Sequence, residues 1–317
     1  MKQFSVGGTV LPQASLGKEV SIRRKVVEAT CLIAITGLVL AGCRHKEPPA
    51  PPLGTPGITL SRDKVALGSP VDITYRFEVA KDAPPFKEDY RVFVGVVDPD
   101  EMLMWTDDHD PEPPTTQWKP GQKIEYTRTV FAPVYPYVGQ ASIHMGLYSP
   151  TTKKRVSLSG DDAGQLAYKV GKLQLLPQTE NVFTVFKEGW NGAETAQNNN
   201  SVEWNWTKKE AVLAFRNPKT DSQLYLDVDN PSMTFPDGQN VQVMLGGQSI
   251  QNFMLAPAHR VLLKIPLPAA QLGSDEMVEL HFLVDKTFVP ALLAGSTNKD
   301  PRELGMRVFH AFVEPKK

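Results

Sequence analysis

An acidic segment with one histidine, in the first half of the chain, has the residue types of a cation or sugar site. Its candidate side chains are two tryptophans, three aspartates and a histidine, namely Trp105, Asp107, Asp108, His109, Asp110 and Trp118. Calcium requires about six to eight oxygen ligands, and the sequence has no EF-hand or glycine-rich calcium repeat, so no metal site is predicted. Adjacent carboxylates point to different sides of a strand or loop, which argues against an acid–base pair. A polar loop closed by Asx turns is the favoured interpretation. The functional alternative is contact with a sugar or a partner through Trp105, Asp108, His109 and Trp118.

A second candidate site lies beyond the middle of the chain, where tryptophans occur beside polar residues. Trp190 and Glu194 precede Trp204-Asn205-Trp206, and both tryptophans of this last segment lie on one face if it is a strand. Paired aromatic faces stack on the C–H groups of sugar rings, while nearby carboxylates and amides bind the hydroxyls. The alternative is that these rings belong to the core, because tryptophan is usually well buried. Loss of binding with an intact fold after truncation of Trp204 and Trp206 would support the first interpretation, and loss of folding the second.

A third cluster, Asp300-Pro301-Arg302-Glu303-Leu304-Gly305, directly precedes the last predicted strand. The Arg302 guanidinium has the geometry to bind a carboxylate through two hydrogen bonds, with Glu194 or Asp285 as the expected partner. A structural clamp on a turn is the favoured interpretation.

Catalytic motifs are missing from the sequence. It contains no G-x-S-x-G, no H-E-x-x-H and no P-loop. The six histidines are widely spaced, and three of them fall within predicted strands, where a structural role is expected: His144, His281 and His310. A Ser/His/Asp triad stays open, since its members need only meet in space. We therefore predict a non-enzymatic protein without a cofactor, and a glycan hydrolase using Asp107, Asp108 or Glu194 is the least favoured hypothesis.

Residues 22–43, IRRKVVEATCLIAITGLVLAGC, have the pattern of an export signal. A basic start is followed by an apolar run over residues 29–40, which is too short to span a bilayer comfortably. The run ends in Leu40-Ala41-Gly42-Cys43, which resembles the lipobox of bacterial lipoproteins. This resemblance implies cleavage before Cys43, lipid attachment to Cys43 and anchoring in a membrane of the cell envelope. The alternative, a plain signal peptide or core helix that ends in cysteine, fits the following proline-rich stretch less well.

Residues 43–57 are predicted to be the lipidated cysteine and a proline-rich tether, because this composition favours extended polyproline II and cannot form a core. Arg44 stands where an aspartate often signals retention at the inner membrane, so the outer membrane facing the periplasm is favoured, with the inner membrane as the alternative. Cys31 and Cys43 are the only cysteines of the chain, so the folded part contains no disulfide and no thiol nucleophile.

The remaining sequence predicts an all-β protein of two antiparallel sandwiches. Polar and apolar residues alternate strictly from Val71 to Val79, which is typical of a half-buried strand. Short strands with turns every 8–12 residues or so predict an immunoglobulin-like sandwich over residues 58–177. The pattern restarts after Pro177 and predicts a second, jelly-roll-like and carbohydrate-binding-like sandwich over residues 178–317. Without residues 1–42 the chain has 29 basic and 33 acidic residues. A weakly acidic chain offers no electrostatic basis for binding nucleic acid.

Two patterns support a resemblance to a group of envelope proteins. The second region has G-W…E, a W-x-W strand and the ending V-D…F-x-P…D-P-R-E-L-G, and the first has WTDDHDPEPPTTQWKPG…GLY. This resembles uncharacterised β-sandwich regions of bacterial cell-envelope proteins, some of which are attached to membrane glycosyltransferases. The resemblance implies envelope polysaccharide as the setting, and it implies no catalytic residue. It leads to the hypothesis of a lipoprotein that binds a glycan or supports a polysaccharide machine, with a protein-binding scaffold as the alternative.

Overall fold

Strands and short turns account for nearly all regular structure in the computed structural model, which describes residues 50–197, 199–230 and 234–316. The predicted signal peptide, Cys43 and the first part of the tether lie outside these residues, as do the side chains of residues 199–201. Residues 51–317 form one compact unit. Among the helices of the described residues, none has the length and apolar character to cross a membrane.

The first half of this unit is an immunoglobulin-like sandwich. Its strands are, in chain order, β1 (Gly54–Leu60), β2 (Lys64–Ala66), β3 (Pro70–Val79), β4 (Arg91–Val97), β5 (Leu103–Thr106), β6 (Lys123–Phe131), β7 (Gly139–Tyr148), β8 (Asp161–Gly164) and β9 (Ala167–Leu176). One sheet has the order β1-β3-β6, and the other has the order β2-β9-β7-β4-β5, with β8 beside β9. All pairings are antiparallel except that of β2 with β9.

The alternation in β3 positions the first core as predicted. Val71, Ile73, Tyr75, Phe77 and Val79 are buried in one cluster, where they meet apolar residues of the facing sheet. Their polar neighbours along the strand point away from this cluster, because successive side chains of a strand lie on opposite faces. β4 pairs on both sides, with β5 and β7, and is mostly buried, which agrees with its nearly continuous apolar sequence.

The second half is a jelly-roll-like sandwich of two five-stranded antiparallel sheets. Its strands are β10 (Thr184–Phe186), β11 (Glu194–Ala196), β12 (Asn199–Trp206), β13 (Glu210–Arg216), β14 (Ser222–Asp229), β15 (Gln239–Leu245), β16 (Gln248–Leu255), β17 (Val261–Leu267), β18 (Met277–Val284) and β19 (Arg307–Pro315). The sheet orders are β10-β13-β18-β15-β16 and β11-β12-β19-β14-β17. The core between them contains Phe215, Leu226, Val243 and Phe282, all fully buried. These two halves confirm the predicted all-β architecture.

Two predicted boundaries differ from the structure. β1 begins at Gly54, so residues 54–57 of the predicted tether belong to the first sandwich, where they pair with Arg76–Val79. Pro56 fits because β1 is an edge strand, in which a missing N–H can face away from the neighbouring strand. The acidic segment that begins at Trp105, interpreted from the sequence as a polar loop, starts within the short strand β5. Each of the four sheets contains strands from only one side of Pro177.

The two sandwiches meet along one side of the sheet that contains β19 and β14. The Phe131 ring stacks flat on the His310 ring, with centroids 3.9 Å apart. Lys264 donates to Asp72 at 2.8 Å, and Arg62 forms an ion pair with Glu314. Part of the outer face of this sheet is therefore covered by the first sandwich, and the neighbouring part borders the candidate site.

Candidate functional site

A β-bulge in β19 creates an unusual outer face on the second sandwich. His310 lies opposite Asp227 and Arg307 lies opposite Asp229, and the register shifts by one residue between these pairs, at Phe309. In a regular strand residues 307 and 310 would point to opposite faces, whereas the extra residue brings both to the same face. The bulge therefore places a cation, an aromatic ring and an imidazole close together on the side away from the core.

Aromatic rings and guanidinium groups stack on this outer face. The Trp204 ring lies 5.9 Å from the Phe309 ring at an angle of 57°. The Arg307 guanidinium lies 5.1 Å from the Trp204 ring, and that of Arg260 lies 3.7 Å from the Phe309 ring. At these distances a cation is attracted by the negative face of a ring, which holds the ring in place.

Both arginines of this stack are neutralised by carboxylates. Arg307 donates to the two oxygens of Asp229 at 2.7 and 2.5 Å, and Arg260 donates to those of Asp227 at 2.8 and 2.6 Å. His310 also contacts Asp227, at 3.1 Å. Burial raises the pKa of Asp227, but hydrogen bonds from Arg260 and His310 outweigh it and hold that pKa below its ordinary value. Asp227 is therefore a carboxylate at neutral pH.

A groove of about 250 Å³ opens beside the stack. It is lined by Val202, Glu203, Trp204, Asn205, Arg260, Phe309 and His310. Trp204 is half-buried, so part of its ring belongs to the groove. An aromatic face bordered by polar side chains such as Arg260 and His310 can stack on the C–H groups of a sugar and bind its hydroxyls.

The other two candidate tryptophans have structural roles. Trp206 lies on the same face as Trp204, as predicted, because Arg307 is close to both rings. Trp206 is only 8% exposed, however, and packs against Phe288. Trp190 donates to the Val212 carbonyl at 2.8 Å and packs on Phe282 of the core. Trp190 and Trp206 therefore make structural contacts, and ligand binding by them stays a prediction; the groove contains Trp204 alone of the three.

The predicted arginine clamp is present, and its partner is Glu194. Arg302 donates to Glu194 at 2.6 Å and to both oxygens of Asp300. The other oxygen of Glu194 accepts from Trp206 Nε1 at 3.3 Å. Asp285, the alternative partner, instead binds Asn240. Glu194 thus joins β11, β12 and the turn before β19, and the groove does not include it.

In the first sandwich, the histidine of the acidic segment is buried in a hydrogen-bonded network. His109 is 4% exposed; its Nδ1 lies 2.6 Å from the Asp107 carbonyl and its Nε2 lies 2.8 Å from the Tyr126 hydroxyl. The neutral tautomer with the proton on Nδ1 satisfies both contacts. The Asp107 carboxylate accepts from the Tyr75 hydroxyl at 2.8 Å and from Arg128 at 3.0 and 3.2 Å. These contacts connect the two sheets of the sandwich.

The remaining candidates of that segment also hold the fold together. Trp118 is 5% exposed, donates to the Pro113 carbonyl at 2.8 Å and packs on Phe77. Asp108 accepts from the Val94 amide at 3.1 Å, and Trp105 is half-buried against the core. The burial of His109 and Trp118 gives both side chains structural roles, and ligand contact by this segment stays a prediction. Among the described residues, no group of three or more histidine, cysteine or acidic side chains has the arrangement of a metal site.

The buried histidine predicts an acid-sensitive first sandwich. Burial lowers the pKa of His109, so the folded protein binds this proton more weakly than the unfolded chain, in which the pKa is about 6.5. Stability should be complete above about pH 6.5 and should fall as the pH drops below it, by at most about 1.4 kcal/mol per pH unit. Denaturant unfolding between pH 7.5 and 5 checks this.

A glutamine variant provides the control for this pH dependence. His109→Gln should flatten the loss of stability between pH 6.5 and 5, because the titrating group is gone. His144 is also buried, with a pKa lowered in the same direction, so His144→Gln should remove a separate part of the loss. A His109→Gln profile parallel to that of the parent protein would contradict the prediction.

Comparison with known proteins identifies no family. No protein-family model and no curated protein matches the chain. A solved CBM36 domain of a multidomain xylanase from the hindgut metagenome of Trinervitermes trinervoides is 9% identical, covers 43% of this chain and 98% of its own, and has a TM-score of 0.25. The M60 catalytic domain with two CBM51 domains from Clostridium perfringens is 10% identical over 86% of this chain, with a TM-score of 0.28. This chain spans 32% of that protein's solved chain. TM-scores of this size do not establish a shared fold.

Sequence reasoning found Trp204 but missed most of its surroundings. Asp227 and Asp229 lie on β14, Arg307 lies on β19 and Arg260 directly precedes β17, so these residues meet only in the folded protein. One signal was available in the sequence: Asp227 and Asp229 are two residues apart and alternate with apolar residues, which places two carboxylates on one face of a strand. The bulge at Phe309 has no comparable signal.

Proposed function

We propose that this protein is an exported, lipid-anchored envelope protein that binds a glycan at the groove beside Trp204 without catalysing a reaction. The proposal rests on one observation: an aromatic pair, Trp204 and Phe309, is held on the outer face of the second sandwich by two neutralised arginines. A core role does not require this arrangement, because the core lies on the other side of the sheet.

The fixed geometry of the rings favours binding of a sugar. Each arginine that stacks on a ring is itself held by two hydrogen bonds to an aspartate, so the aromatic surface is organised before a ligand arrives. The Arg260 guanidinium and the His310 imidazole also line the groove with groups that can form hydrogen bonds. Charge within the stack is balanced, so stacking and hydroxyl contacts, rather than net charge, would bind the ligand.

The carboxylates suggested for hydrolysis are engaged elsewhere. Glycoside hydrolysis generally uses a pair of carboxyl groups that flank the scissile bond. Among the described residues that line the groove, Glu203 is the single carboxylate. Glu194 is bound to Arg302 and Trp206, and Asp107 is bound to Tyr75 and Arg128. These contacts support a binding role over a hydrolytic one.

The test of this function is binding to a panel of bacterial envelope polysaccharides. Residues 51–317 contain both cores and every described strand pairing, so we expect this unit to fold without the segment that precedes it. Saturable binding, measured by calorimetry or affinity electrophoresis, would support the proposal. If the folded unit bound no polysaccharide of the panel, the proposal would fail and a protein-binding scaffold would become the better hypothesis.

Lipid anchoring at Cys43 is tested separately. We expect cells that express the parent chain with labelled palmitate to yield a labelled protein in the membrane fraction, because a thioether-linked diacylglycerol needs the thiol. Cys43→Ser should lose the label and leave the mature form unproduced, whereas Cys31→Ser should keep both. Equal labelling of the Cys43→Ser variant would place the lipid elsewhere and reject this site.

A further inference from the structure

Most sheet edges of this protein are protected against pairing with another chain. An open strand edge presents unpaired backbone groups, and short length, charges or proline reduce its tendency to pair. β10 and β11 have three residues each. β17 contains Lys264 and Pro266, and Lys264 is bound to Asp72 of the first sandwich. In the first sandwich, β2 and β5 are short, β1 contains Pro56 and β6 contains three charged residues.

β16 lacks each of these protections. It is eight residues long, Gln248–Leu255, and has no charged residue and no proline. In the described part of the chain β15 is its single partner, so its other edge faces outward from the sheet. Met254 on this strand is 62% exposed, and Asn252 is exposed as well. An uncharged edge of this length is the one most suited to pair with another strand.

The bulge in β16 limits which residues can pair. Its register with β15 shifts between Val243 and Met244, which leaves Ile250 as the extra residue. From Gln251 to Leu255 the ladder is regular, and Phe253 is the centre of this five-residue segment. Two copies of this segment can be paired about a two-fold axis that is perpendicular to the sheet at Phe253. In that arrangement each side chain stays on the same face of the joined sheet as in the single copy.

This register is self-complementary. The Phe253 rings of two copies would lie opposite each other, and Asn252 of one copy would lie opposite Met254 of the other. Directly opposed aromatic residues stabilise an antiparallel pair, and no like charges meet because the segment has none. The exposed Met254 side chain would gain a neighbour across the axis.

We propose that two copies of this chain associate by antiparallel pairing of β16, which joins their five-stranded sheets into one sheet of ten strands. Closed two-fold dimers are the commonest oligomers, and the same surface serves both partners. The groove beside Trp204 belongs to the other sheet of the sandwich, so pairing at β16 leaves it accessible. The inference does not depend on what the groove binds. A dimer would present two copies of the groove.

The register gives a sharp test with variants of the full chain that each carry one added cysteine. Asn252→Cys on a chain with one affinity tag and Met254→Cys on a chain with another are expressed together, and disulfides are read on a non-reducing gel. Opposed residues of neighbouring antiparallel strands have Cα atoms about 4.5 or 5.5 Å apart, within the range of a disulfide. We expect a species that contains both tags. The parent chain, with Cys31 and Cys43, gives the background.

A matched pair on the same strand controls for random collision. Ser249→Cys with Met254→Cys uses two exposed positions, but Ser249 lies beyond the bulge and has no partner in this register, so only background linkage is expected. A doubly tagged species no more abundant than in this control would overturn the dimer. Linkage by Asn252→Cys alone would overturn the register, because it requires Asn252 at the axis. Linkage of either variant to a different protein, without self-linkage, would show that another chain occupies the edge.

Discussion

Replacing Asp107 by alanine is expected to destabilise the protein by about 2–3 kcal/mol, because it leaves the buried Tyr75 hydroxyl without its acceptor and removes the carboxylate partner of the partly exposed Arg128. Its carboxylate accepts hydrogen bonds from Tyr75 and from two nitrogens of Arg128. Tyr75 is 0% exposed, so its hydroxyl would be left without an acceptor and without access to water. Denaturant unfolding with tryptophan fluorescence measures this loss as a lower midpoint at an unchanged slope.

The neighbouring Asp108 is the matched control. It is exposed, and its carboxylate accepts a hydrogen bond from the Val94 amide. Asp108→Ala should therefore cost about 1 kcal/mol. If the acidic segment were a ligand site with little structural role, both variants would unfold at the same midpoint as the parent protein. That result would contradict the structural interpretation of Asp107.

The strands of this protein could be predicted because their sequences alternate with a period of two. In β3 the alternation from Val71 to Val79 identified both the strand and its buried face. The same reasoning placed Trp204 and Trp206 on one face of β12. Local hydrophobicity decides these features, so a single segment contains the necessary information.

Contacts between distant segments could not be predicted in the same way. Tyr75 binds Asp107 across 32 residues of sequence, and Trp206 is covered by Phe288 from the loop after β18. Period-two reasoning assigns a face, but it does not say whether another segment covers that face. For this reason the sequence alone could not distinguish Trp190, Trp204 and Trp206. In the structure Trp206 is buried and Trp190 is half-buried, whereas the half-buried Trp204 lines the groove.

Truncation of Trp204 should therefore mainly reduce glycan affinity, whereas truncation of Trp206 should mainly reduce the stability of the fold. Trp204→Ala is expected to weaken glycan binding roughly 30-fold, equivalent to about 2 kcal/mol of stacking energy, with a small loss of stability. Trp206→Ala is expected to cost about 3–5 kcal/mol of stability, because it leaves a cavity between Phe288 and Glu194. Calorimetric titration with the bound polysaccharide and denaturant unfolding measure the two effects on the same samples.

A phenylalanine variant separates loss of stacking from general damage to the groove. Trp204→Phe retains an aromatic face beside Phe309, so it should recover part of the affinity lost in Trp204→Ala. If Trp204→Ala unfolded as readily as Trp206→Ala, Trp204 would be a structural residue and the groove would lose its main support as a binding site. If Trp204→Ala stayed folded and bound as tightly as the parent protein, the glycan would be held elsewhere. The two residues share a strand and a face, so a difference between them would come from what covers each ring.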